Sequence, residues 1–188
     1  HLSALYHGQY GHKMLALAGV TTALDMAGPV DEVMAIAKKD GAGLSVAVVN
    51  GIRPGHNVKD EDPATDELEQ LVDRSLGGGA IGIKLRGGHY PMTPEATARA
   101  ISAANGCKAY VAYHAGSTRY GSVVEGALEG IELAAGQALH LAHVNSYCRG
   151  ASRPMLDETE DLVNALNATP SITCESYVSE FNGTTAKC

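Results

Sequence analysis

Residues 80–114 read AIGIKLRGGHYPMTPEATARAISAANGCKAYVAYH. The stretch opens on an apolar run, Ala80–Leu85, and closes on another, Lys108–His114. Between them Thr93 and Pro94 begin a segment with apolar residues at helical spacing that continues to Ala104. A threonine before a proline marks a helix start, because the hydroxyl can accept an unpaired backbone N–H and proline lacks an N–H that the first turn would leave idle. The reading is strand, helix, strand. The strands are nearly continuous apolar runs rather than alternating ones, which means that both faces are covered, as in a parallel sheet with helices packed outside.

The same pattern extends in both directions. Strands are read at Val20–Met26, Leu44–Asn50, Ala138–Asn145 and Ser171–Val178, and helices at Pro29–Lys39, Pro63–Leu76 after Asp62, Ser122–Ala135 and Pro154–Leu166. A further helix, Ala4–Ala18, precedes the first strand. Alternation of this kind makes the chain α/β. Six strands, with one or two more expected at the ends, point to a (β/α)8 TIM-type barrel truncated at both ends, strands 2–7 being visible. A doubly wound open sheet is the alternative. No linker or low-complexity stretch interrupts the pattern, so residues 1–188 are read as a single, partial barrel domain.

Composition narrows the function. The 188 residues are 45% hydrophobic and 19% charged, enough for one core. A net charge of −7 without a basic cluster argues against nucleic acid. The lack of an apolar run of about 18 residues argues against a spanning helix, and no membrane partner is expected. Cys107, Cys148, Cys174 and Cys188 form no Cys-x-x-Cys pair, which fits reduced thiols in a cytoplasm. The chain begins with His1 rather than methionine, so it is expected to be a piece of a longer one.

In a parallel barrel the chemistry sits at the carboxyl ends of the strands. There the sequence places Lys84, His114 and His143, closing three consecutive strands. Lys84 taken alone could be an inner lysine paired with a carboxylate, and His114 alone a hydrogen-bonded core histidine. An imidazole at the equivalent place on the next strand shifts the balance, since neighbouring strand ends are where histidines hold a catalytic zinc with a position left open. His140, three residues before His143, is read as facing the other way, between sheet and helix. Gly77-Gly-Gly79 opens no helix and is read as a turn; the acidic stretch from Asp60 to Glu69 is read as a solvated helix start.

Four motifs in order, Gly19-Val-Thr-Thr22, Gly82-Ile-Lys84, Tyr113-His114-Ala-Gly-Ser and Leu139-His-Leu-Ala-His143-Val-Asn-Ser, resemble the amidohydrolase superfamily, nearest to its D-aminoacylase, dihydroorotase and hydantoinase branch. The resemblance implies a metal centre. His1 stands where the second histidine of the family's first-strand His-x-His would be, Lys84 matches the lysine that many members carbamylate to bridge two metals, and His114 and His143 match the histidines of the second metal. The family's last-strand aspartate, which binds metal and shuttles the proton, has no counterpart up to Cys188 and is expected beyond it. Hydantoinases carry a tyrosine five positions after the bridging lysine, where this sequence has His89 followed by Tyr90.

The expectation is therefore a hydrolase of amide or cyclic amide C–N bonds, of N-acyl-D-amino-acid deacylase type, with zinc, one or two ions per chain, as the cofactor. Arg86, His89, Tyr90, Asn145 and Arg149 are the candidate substrate-binding residues, the arginines suiting a small molecule that carries a carboxylate. A homo-oligomer is compatible with the sequence. An esterase or lactonase on the same barrel, and a non-catalytic barrel that binds a metabolite, are the competing readings.

Overall fold

Thr93 caps its helix as expected: its Oγ1 accepts the Ala96 N–H at 3.1 Å, and Pro94 follows at the first helical position. Asp62 does otherwise. The helix after it starts only at Thr65, and the Asp62 carboxylate instead accepts hydrogen bonds from the Thr93 hydroxyl at 2.9 Å and the Arg99 guanidinium at 2.5 Å, tying two successive helices together.

A computed structural model describes residues 9–177. Along the chain these residues form α1 (Gln9–Leu17), β1 (Thr22–Asp25), α2 (Val30–Asp40), β2 (Ser45–Gly51), α3 (Thr65–Gly77), β3 (Gly82–Arg86), α4 (Pro94–Gly106), β4 (Tyr110–His114), α5 (Val124–Ala134), β5 (Leu139–Leu141), a 3-10 turn (Val144–Ser146), α6 (Met155–Ala168) and β6 (Ile172–Cys174). The main departure from the sequence reading is β5, which stops at Leu141 instead of running to Asn145. The expected helix from Ala4 and strand to Val178 fall partly outside the described residues.

All six strands are parallel and follow one another in the order β1 to β6. That order excludes the doubly wound alternative, which reverses direction at a switch point. Since crossovers are right-handed, an unreversed order puts every connecting helix on the same face. The packing agrees. Ile83, Leu85, Val111, Tyr113, Leu139, Leu141 and Ile172 of the strands bury themselves against Leu68, Val72, Ala100, Ile101, Ala127, Ile131 and Leu162 of the helices. The opposite face is the concave side of a curled half-barrel, with its own small apolar cluster of Met26, Val49, Ala112 and Ala142. Among the described residues no helix is long and apolar enough to cross a membrane.

Candidate metal centre

Ladder register decides which side chains meet. Lys84 pairs with Ala112, Ala112 with His140 and His140 with Thr173, while Arg86 pairs with His114. Partners on parallel strands point the same way, and residues two apart share a face. Lys84, Arg86, Tyr110, His114 and His140 therefore all project onto the concave side, away from the helices.

His143 reaches that side by a different route. Past Leu141 the chain leaves the strand, and His143 takes the left-handed conformation (φ 41, ψ 57) before the 3-10 turn. The period-two alternation ends there. The ring swings back so that its Nε2 lies 2.8 Å from His114 Nδ1, with ring centroids 4.8 Å apart. The expectation that His140 lies between sheet and helix, opposite to His143, is thereby corrected. His140 shares the concave face, with its ring 5.6 Å from that of Tyr110 and its Nδ1 3.0 Å from Thr173 Oγ1.

Proton counting gives the pair its character. Ser122 has one hydroxyl proton, which it donates to the Ala115 carbonyl at 2.9 Å, so at 2.9 Å from His114 Nε2 it must accept. His114 is thus protonated on Nε2 and bare on Nδ1. On the far side, His143 Nδ1 lies 3.6 Å from Glu175 Oε1, the carboxylate that an Nδ1–H would face. At 2.8 Å His143 Nε2 can donate a hydrogen bond to the bare His114 Nδ1, and a shared cation would take the place of that proton. The imidazole pair fits a borderline metal such as zinc. Among the described residues no third histidine, cysteine, aspartate or glutamate completes a ligand set.

The electrostatics agree with a site built for neutral bases. Burial pulls the His114 pKa down to about 3, with smaller contributions in the same direction from the basic groups His143, Lys84, His89 and Arg86 around it, so the ring is neutral. Lys84 is 4% exposed, and its Nζ lies 3.6 Å from the weakly accepting Met26 sulfur. Burial draws its pKa down to about 7; Glu175 opposes that shift and Arg86 adds to it. Burial would raise Glu175, but hydrogen bonds from His143 outweigh it and hold the carboxyl below its ordinary value.

The remaining candidates divide. The exposed His89 ring lies 5.5 Å from that of His114, beside the pair, and burial of part of it together with Arg86 lowers its pKa. Arg86 lies 5.3 Å over the Tyr90 ring, whose edge meets His56 at 5.7 Å, forming a rim group on the loops after β2 and β3. Asn145 sits in the 3-10 turn, and its buried Oδ1 has no hydrogen-bond partner among the described residues. Arg149 is exposed, 3.4 Å from the Tyr177 hydroxyl. His1 lies outside the described residues. Three residues went unread in the sequence: Glu175, Ser122, and Tyr147, whose ring packs 5.8 Å from His114 and 5.9 Å from His143. Glu175 could have been found as the one acidic residue in the run Ser171–Val178. Nothing marked Ser122.

No protein-family model matches the chain, and no curated protein sequence matches it significantly. Solved structures do. The formyltransferase/hydrolase complex from Methylorubrum extorquens, in complex with methylofuran, superposes with a TM-score of 0.67 at 16% identity over 93% of this chain. D-hydantoinase superposes with a TM-score of 0.53 at 18% identity over 88%. The chain shares the fold of these two structures over most of its length. It spans 37% of the first structure's chain and 41% of the second's, so the likeness is one of fold over that part.

Proposed function

We propose that this chain forms the central strands of a (β/α)8 barrel hydrolase that cleaves amide or cyclic amide C–N bonds with the help of zinc. The observation that carries the reading is the pair of imidazole nitrogens 2.8 Å apart at the ends of consecutive strands, with their other nitrogens directed to Ser122 and Glu175. His114 Nδ1 and His143 Nε2 would hold the ion. Lys84, buried and with a pKa near 7, is in large part the neutral amine at mild pH, the form that adds carbon dioxide; the resulting carbamate would supply oxygen ligands. His1 would be a further ligand. A bound zinc supplies Lewis acidity toward a carbonyl and makes water acidic enough to attack near neutral pH.

The chain's own residues would do the rest. His89 or Tyr90 would donate a hydrogen bond to the oxygen that gains charge as the carbonyl is attacked. Arg86, stacked on Tyr90, and Arg149 would bind the carboxylate of a small substrate, for which an N-acyl-D-amino acid is the leading candidate. Asn145 Oδ1, buried and without a partner among the described residues, would accept an N–H of the substrate.

Two measurements test the proposal. Purified protein should carry one or two zinc ions per chain by elemental analysis, and His143→Ala should lower zinc affinity about 10- to 100-fold or more. The intact protein should then release acid from N-acyl-D-amino acids or hydantoins at a rate that chelation abolishes. A wild-type protein that takes up no divalent metal, or a His143→Ala variant that keeps its full complement, overturns the reading.

A further inference from the structure

We propose that Ser122 is a positioning residue for the metal pair: it locks His114 as the Nε2–H tautomer and so keeps Nδ1 bare toward His143. The inference rests on the metal-site reading and deepens it. The direction of the hydrogen-bond chain is imposed at its far end, because the Ala115 carbonyl can only accept. Ser122 spends its single proton there, 2.9 Å away, and its lone pair is what His114 Nε2 meets at 2.9 Å. The carbonyl is itself fixed: Ala115 is fully buried, and its N–H donates to the Tyr147 hydroxyl at 2.9 Å.

Among the described residues the hydroxyl makes no other hydrogen bond. Ser122 precedes α5, but the N-cap of that helix is Val123, and no side chain caps it. The surroundings also reserve space for the contact. A Cβ on Gly88 would stand 2.5 Å from both His114 Nε2 and Ser122 Oγ, so any larger residue there would drive ring and hydroxyl apart. The loop that carries Ser122 is pinned as well, by the Ser117 N–H on Tyr120 O at 2.7 Å and the Ser117 hydroxyl on buried Glu129 at 2.6 Å.

The test uses intact, metal-free protein labelled with nitrogen-15 in histidine, in which ring-nitrogen shifts report the tautomer directly, followed by zinc titration. Wild type should show His114 as Nε2–H alone. Ser122→Ala should give a mixture of tautomers and a zinc affinity about 10- to 100-fold weaker; Ser122→Thr, which keeps the hydroxyl, should restore both. Gly88→Ala keeps the serine but separates the partners, and should repeat the alanine result if Ser122→Ala fails to fold. A His114 tautomer unchanged in Ser122→Ala and Gly88→Ala overturns the proposal, even if affinity falls, since the hydroxyl would then serve only packing. If wild type binds no zinc, the metal reading fails, while the tautomer comparison still decides the lock.

Discussion

Lys84 lies between Ile83 and Leu85 on a central strand, where an ammonium finds little solvation. Its titration makes stability depend on pH. In metal-free protein kept free of carbon dioxide, the folded amine titrates near 7 against an ordinary 10.5. Between those values the unfolded chain holds the extra proton, so stability rises as pH is raised through that window and this group contributes no slope outside it. Lys84→Met, which keeps the stem without the charge, should exceed wild type in urea midpoint at about pH 6, with the difference shrinking toward about pH 10. A difference independent of pH would mean that the lysine is not charged and buried in the folded state. Lys84 was legible in the sequence because a cation inside an apolar run is costly and so conspicuous. The same reasoning applied to Glu175 would have found it. Ser122 was not legible: a serine in a loop carries no sign that its one proton is committed elsewhere.

At the scale of elements, the strands and helices were readable to within a few residues because both apolar faces of a covered strand leave an unbroken mark. The end of β5 was not, since histidine is a poor indicator of a left-handed residue and the run Ala138–Asn145 shows no break. That single conformation turns His143 onto the concave side. Helix-to-strand packing makes a sharper demand at Gly130 of α5. A Cβ there would stand 2.2 Å from the Tyr113 ring, which is 1% exposed and held through its hydroxyl to both the N–H and the carbonyl of Gly116. The ring cannot yield without giving up those bonds. Gly130→Ala should therefore cost about 1–3 kcal/mol in equilibrium unfolding. A neutral substitution would show that α5 can slide on the sheet.

Over the whole molecule, protection should follow the winding. Strands β3 and β4 are flanked on both sides and roofed by α3, α4 and α5, whereas β1 and β6 each have one described neighbour and only four and three residues. Amide exchange should be slowest at Ile83, Leu85, Val111 and Tyr113 and faster by orders of magnitude in β1 and β6. Uniform exchange across the sheet would contradict that gradient. The unreversed strand order has another consequence. Each βα unit delivers its chemistry toward one end, with Lys84 inside β3, His114 at the last position of β4 and His143 two residues past β5, while the turns that lead into the strands, such as Gly77–Gly79 ahead of β3, lie at the opposite end. A reporter peptide spliced into that glycine turn would ride on the floor of the molecule. The same splice after Arg86 would sit in its doorway, so the two ends of one short strand divide the positions open to engineering from those closed to it.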